Sequence, residues 1–366
     1  MQAVKIKDVT TYLESIAPIV YQESYDNSGL ITGNPGEQIR GILVTLDCTE
    51  GVVDEAIAAN CNLIVAHHPI LFKGVKRLTG KTYVERTLIK AIKNDIAIYA
   101  IHTNLDNVID GVNRKIAEKL DVRNVRVLRP LKSTLSKIVA FVPKDDIEAI
   151  LAALHHAGAG HIGNYNNCSF QVDGLGTFQP GEKATPLIGE TGKQEIVKET
   201  RIELIFPSYK EVDIISAIKK AHPYEEVAYY ITPITNEDQN TGSGLIGELE
   251  SPIEPIQFLK RLKSQMNVSM LRHTALPKSI TKVAVCGGAG SFLLADAIAH
   301  GADVFVSSDF KYHEFFDAEG KIMIADIGHY ESEQFTKDLL SEVLSKKFTT
   351  FAINFSKTVT NPISYL

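Results

Sequence analysis

Two adjacent imidazoles, His67 and His68, stand directly behind the apolar run Leu63-Ile64-Val65-Ala66 and just ahead of Pro69. Neutral imidazole nitrogens are good ligands for zinc, iron, nickel or copper. The run before them has the composition of a strand buried on both faces, and Pro69 cannot extend a central ladder because it lacks an N–H. The pair therefore falls at a strand's carboxyl end, the edge where open α/β sheets collect ligands and catalytic groups. Successive strand side chains point to opposite sides, so one ion shared by both needs a bend straight after Ala66, whereas two neighbouring ions do not. A purely local cap of the strand end is the competing reading.

Four further groups follow the same logic. His102 and Asp106, four residues apart in HTNLD, come just after the apolar DIAIYAI. His329 and Glu333 are also four apart, in GHYESE, and a helix starting near Gly328 puts them on one face where they can hold one ion. An ordinary capped helix start, its early glutamates favoured by the helix dipole, accounts for the same residues. His67, His68, Asp106, His329 and Glu333 make a poor structural zinc site, which usually closes with cysteines, but suit a centre with open coordination positions. An Asp106 bridge would fit two ions about 3.5–4 Å apart. His102 reads equally as a ligand, as an orienter behind one, or as a substrate contact. In SSDFKYH, Asp309, Lys311 and His313 are expected to face the same cleft. Cys286 to Ser291, CGGAGS, reads as a tight βα turn rather than an anion nest, having neither a P-loop lysine nor a full dinucleotide fingerprint. Beside a Gly-rich helix end, His155, His156 and His161 read as capping groups, and His222 as part of a turn.

The elements that must position these groups show in the pattern. RGILVTLDCT, EGVVDEAIAANC and NLIVAHH form a βαβ unit; a helix from about Tyr83 to Asn94, a third strand and the helical GVNRKIAEKL come next. Asp26-Asn27-Ser28-Gly29 is turn chemistry. AIAANCNLIVAHH (56–68) lies over AIAHGADVFVSSD (297–309) at a constant offset of 241 residues, which marks a duplicated α/β unit. Between the copies the order β-α-β-β-α-β is the ferredoxin-like pattern. The polar segments RVLRPLKST and NEDQNTGSG read as its linkers. The expected division is 1–127, 128–235 and 236–366, the outer pieces forming one discontinuous domain.

Composition narrows the class. The 366 residues, 44% hydrophobic and 22% charged, suit a soluble globular chain of two or three domains. With 38 basic against 44 acidic residues, a net charge of −6 and no basic-aromatic cluster, general nucleic-acid binding is disfavoured. No signal-peptide core and no run near the ~20 apolar residues of a membrane span is present, so a cytoplasmic protein is expected. Cys48, Cys61, Cys168 and Cys286 are scattered, which indicates buried thiols rather than a disulfide framework or thiolate zinc site.

Taken in order, DNSGLITG, HHPILF, HTNLD, CGGAGS, SSDFKYH and GHYESE resemble the motifs of the Nif-three-like family, the GTP cyclohydrolase I type II homologues, over essentially the whole chain. The resemblance implies an α/β fold in which a duplicated Nif-three-like domain is interrupted by an α+β, ferredoxin-like insert; GHIGNYNNCSF, RIELIFP and HPYEEVAYY are similar to the PII/CutA fold. It also implies a di-metal site at His67, His68, Asp106, His329 and Glu333, in the cavity of a toroidal homohexamer. The resulting expectation is a protein with two divalent ions per chain, zinc first and iron or manganese as alternatives. It would act as a cyclohydrolase-like hydrolase on a nucleotide- or pterin-like substrate, with His102, Lys311 or His313 shuttling protons. The alternative expectations are a metal-trafficking or sensory hexamer without turnover, and a scaffold whose partners bind the ring surface.

Overall fold

The computed structural model describes residues 3–366. It divides into two compact units, the chain through Arg129 with Asn240–Leu366, and Pro130–Gln239.

The larger unit contains two sheets. In the first, the order is Gly29–Thr32, Ala97–Ala100, Leu63–Ala66, Gly41–Thr45, Ala352–Phe355. The last four are parallel and the first is antiparallel. Gly41–Thr45 and Leu63–Ala66 are buried at every position, which is why they read as unbroken apolar runs: a central parallel strand is covered on both faces. One face carries Leu43, Ile64, Ala66 and Ile98 against the helices Glu50–Ala58 and Tyr83–Lys93. These helices start at Thr49 and Thr82, whose hydroxyls accept from the amides of Val52 and Glu85. The other face carries Ile42, Val44, Val65 and Tyr99 into a core shared with Val283, Val285, Val306 and Ala325 of the second sheet.

That second sheet runs Arg272–His273, Met323–Asp326, Val304–Ser308, Ile280–Ala289, Asp238–Ile253, Arg123–Leu131. Its three parallel strands repeat the first sheet's register. Val44 pairs with Val65 and Val285 with Val306, both members shifted by the same offset. Behind the third strand of each copy the same bond recurs, Ile101 N to Ala66 O at 2.9 Å and Ile327 N to Ser307 O at 3.0 Å. The two copies therefore present equivalent carboxyl ends.

The two expected linkers are strands. NEDQNTGSG enters the 16-residue strand Asp238–Ile253, and RVLRPLKST lies largely within its sheet neighbour Arg123–Leu131. Hydropathy misreads them because strand residues such as Thr241 and Ser243 are small and polar yet buried, Ser243 Oγ donating to Asn107 Oδ1 at 2.9 Å.

The smaller unit follows β-α-β-β-α-β: Leu135–Pro143, Ile147–Ala157, Phe170–Phe178, Glu195–Pro207, Glu211–Ala221, Tyr229–Ile234. Its strands, numbered in chain order, lie 2-3-1-4 with antiparallel neighbours, the ferredoxin-like arrangement. Ile138, Ile150, Leu154, Ile202, Leu204 and Ile214 fill its core. Two histidines of this unit serve its fold. The first helix ends on Gly158 at φ 104°, where His155 Nδ1 meets Ala159 O at 3.2 Å, and the buried His222 binds Phe141 O at 3.0 Å.

Candidate metal centre

The Leu63–Ala66 strand stops where the sequence says it must, and the chain bends at once, His67 N bonding Thr45 O and His68 N bonding Leu46 O. The two rings consequently lie with centroids 4.9 Å apart. Two residues beyond the strand Ala97–Ala100 stands His102, followed by the helical turn Thr103–Asp106. In the second copy Gly328, at φ 90°, opens the short helix His329–Glu333, a conformation glycine adopts without strain.

All five expected ligands meet. His67 Nε2 is 3.7 Å from Asp106 Oδ1 and 3.8 Å from Glu333 Oε1. Glu333 Oε2 is 2.9 Å from His68 Nε2 and 3.2 Å from His329 Nε2. Three groups could each hold an ion: His67, His68 and His102; His68, His329 and Glu333; His67, Asp106 and Glu333. The carboxylate common to two of them is Glu333, where an Asp106 bridge was expected.

A second layer fixes each ring. Nδ1 of His67 faces Ile101 O at 2.8 Å, that of His68 faces Asp47 at 2.8 Å, that of His102 faces Asp26 at 2.8 Å, and that of His329 faces Asp309 at 2.7 Å. An Nδ1–H donating to these acceptors leaves the Nε2 lone pair for the centre, the orientation that metal-ligating histidines show. Buried and without a hydrogen-bond partner are His67 Nε2, Asp106 Oδ1 and Glu333 Oε2; the imidazoles near Glu333 lack the alignment a hydrogen bond needs. Stranded lone pairs are costly in a protein interior, and a cation at this point satisfies all three. CGGAGS belongs to the same construction. Gly288, at φ 62°, leaves room where a Cβ would collide with Glu333 Oε1, and Gly288 N binds Ser332 Oγ at 2.9 Å.

Among the protein groups alone, proton affinities in the cluster diverge. Burial would push His68 and His329 down, but Asp47 and Glu333 raise the first to about 10, and Asp309 and Glu333 raise the second to about 11. Burial, reinforced by the Glu333 charge, lifts Asp106 to about 7. Glu333 is driven upward by burial as well, yet the surrounding imidazoles hold it well below the usual carboxylate range.

The cluster lies in a cavity of about 640 Å³. Lys311 and His313 do not line it: both are exposed, Lys311 N bonds Glu314, and the His313 ring packs beside Tyr312 and Phe316. The sequence reading missed Asp26 and Asp47. Asp47 had the same signal as His67, an acid just beyond the strand Gly41–Thr45. Asp26 was absorbed into turn chemistry, although it also accepts from Thr103 N at 3.0 Å and Ser28 Oγ at 3.1 Å. The cysteines are unpaired thiols, buried except for the half-buried Cys168, and no helix among the described residues is long and apolar enough to cross a membrane.

Residues 4–362 match the family model Duf34/NIF3 (NGG1p interacting factor 3). A curated relative named GTP cyclohydrolase 1 type 2 homolog, from Bacillus subtilis, is 38% identical over 372 residues, covering 100% of both chains. One of the same name from Halalkalibacterium halodurans is 39% identical, covering 93% of each. The crystal structure of a Bacillus cereus protein related to NIF3 superposes with a TM-score of 0.88 at 37% identity, covering 100% of both chains. Staphylococcus aureus protein SA1388 does so at 0.79 and 30%, with the same coverage.

Proposed function

The chain belongs to the Duf34/NIF3 family, and on that premise we propose that His67, His68, Asp106, His329 and Glu333 hold two divalent metal ions at the centre of a metal-dependent hydrolase. Its substrate is a nucleotide- or pterin-like heterocycle, and its working assembly a homohexamer. The observation that carries this reading is the convergence of imidazoles anchored at Nδ1 on carboxylate oxygens that have no other partner. Zinc is the first expectation, and iron or manganese suits the same nitrogen and oxygen donors.

Bound there, the ions would supply Lewis-acid polarisation and charge neutralisation for hydrolytic attack. The protein's own groups do the rest. Asp47, Asp309 and the Ile101 carbonyl hold three imidazoles in one tautomer and orientation. In this reading His102, which lines the cavity with Asp26 behind its Nδ1, takes a proton at Nε2 and returns it. Glu333, common to two of the three groups, ties them into one centre.

Elemental analysis after metal repletion is expected to find roughly two ions per chain, as in two-metal hydrolases. The change His67→Ala with His68→Ala should empty the site; it strands the Ile101 carbonyl, at a cost of about 1–3 kcal/mol, while the chain stays folded. Glu333→Gln should abolish turnover in a cyclohydrolase and phosphoester substrate screen. Wild-type protein that keeps its metal yet turns over nothing in that screen would replace hydrolysis by metal handling, and protein that takes up no metal would end both readings.

A further inference from the structure

Charge and shape in the cavity select among the substrates that this reading allows. Among the described residues lining it there is no lysine or arginine, while Glu23, Asp47, Asp106 and Glu333 contribute four carboxylates. The guanidinium of Arg129 is committed to Asp296 and to the Phe292 carbonyl. Two dications at most neutralise the four carboxylates, so no positive charge is left over for a polyphosphate, and like charges near a protein surface repel by about 4 kcal/mol at 4 Å. Aromatic side chains form part of the wall: Tyr25, Phe72, Tyr83 and Phe292 line the cavity beside aliphatic and small polar residues and remain 66%, 51%, 61% and 52% exposed. Such faces favour a flat ring, an aromatic pair being worth about 0.5–1.5 kcal/mol beyond area burial. Glu23 has one oxygen facing Asn107 Nδ2 at 3.3 Å, and its carboxylate can accept more than that one bond.

We infer that the site takes an unphosphorylated, planar nitrogen heterocycle whose adjacent N–H donors are read by Glu23 and whose face rests on the aromatic wall. Nucleoside triphosphates are rejected. This rests on the metal-centre reading above but adds to it a binding residue and a choice of substrate class.

Calorimetric titration of zinc-loaded, full-length protein with guanosine, GTP and inorganic tripolyphosphate tests the inference, with zinc content measured before and after. Guanosine should bind at least about tenfold more tightly than GTP, a difference of about 1.4 kcal/mol. Glu23→Gln, which turns an acceptor toward the ring's donors into an amide, should weaken guanosine at least tenfold with zinc unchanged. Tyr25→Ala, at an exposed position, should weaken guanosine several-fold and serves if Glu23→Gln does not fold. GTP or tripolyphosphate binding as tightly as guanosine, no guanosine binding below about 1 mM with zinc retained, or guanosine affinity unaltered in both variants would each overturn the inference. Zinc lost from wild-type protein dialysed without any of the three titrants would instead overturn the metal-centre reading beneath it.

Discussion

His68 and His329 each sit between two carboxylates, one behind the ring at Nδ1 and Glu333 in front. That sandwich outweighs burial and holds their pKa values at about 10 and 11. Both rings therefore carry a proton at neutral pH unless a cation takes its place, and a metal needs the neutral imidazole. Metal uptake near pH 7 should release roughly two to three protons, two from the imidazoles and about half of one from Asp106, and apparent affinity should climb with pH. The stability of the metal-free protein should move the other way. Raised values mean that these groups stabilise the fold fully below the ordinary histidine pKa of 6.5 and lose that contribution as pH rises through 10 to 11. Calorimetry of zinc binding in two buffers of different ionisation enthalpy counts the protons. A count near zero at pH 7 would show that the imidazoles are already neutral and the sandwich weak.

The segment after the strand Ala352–Phe355 shows how an irregular element can support the site. Glu55, on the helix Glu50–Ala58, accepts from Ser356 Oγ and Lys357 N at 2.7 Å, from Thr358 Oγ1 at 2.9 Å and from Thr358 N at 3.2 Å. Thr360 Oγ1 then donates to Asp47 at 2.6 Å, and Asp47 holds His68. Burial pushes the Glu55 carboxyl up, but the donors of this segment outweigh it and lower the pKa below the ordinary 4.5. A lowered value means stabilisation that is present above 4.5 and lost as pH falls through the folded pKa. Protection factors of the Lys357 and Thr358 amides should accordingly drop as pH falls through the folded Glu55 pKa, below 4.5, and Glu55→Gln should show the lost protection already at pH 7. Protection unchanged by both would mean that Glu55 does not pin the segment. Elements of this kind are the ones sequence does not disclose. Leu63–Ala66 and Val304–Ser308 announced themselves as apolar runs, and His67, His68 and His329 could be placed because they stand at the ends of such runs. Asp26, and the Thr358 and Thr360 contacts, leave no periodic trace, since they depend on hydrogen bonds across tens or hundreds of residues. Lys311 and His313 share a motif with Asp309, yet the 3₁₀ segment Tyr312–Ala318 starts there and carries them outward.

The smaller unit leaves the larger one from two strands that are sheet neighbours, Arg123–Leu131 and Asp238–Ile253, and just beyond them Lys132 Nζ meets Glu237 Oε1 at 3.7 Å. Its core is made from its own residues. The five proposed ligands, their Nδ1 partners and the cavity lining all come from the larger unit. An insertion whose ends already meet can be replaced by a tight turn at little cost, because loop-closure entropy changes only by about 0.6 kcal/mol for each doubling of length. Cutting at the hydropathy boundaries, after 127 and before 236, would remove part of the Arg123–Leu131 strand and leave its neighbour's backbone unpaired. Deleting residues 133–236 and joining Lys132 to Glu237 through a short Gly-Asn turn keeps the ladder intact. That protein should be soluble, show a cooperative thermal transition and bind as much zinc per chain as the full-length protein. The deletion at 128–235 should be the less stable of the two. If the ladder-preserving deletion aggregates or holds no zinc, the larger unit does not fold independently, and the ferredoxin-like insert contributes to the metal centre through assembly.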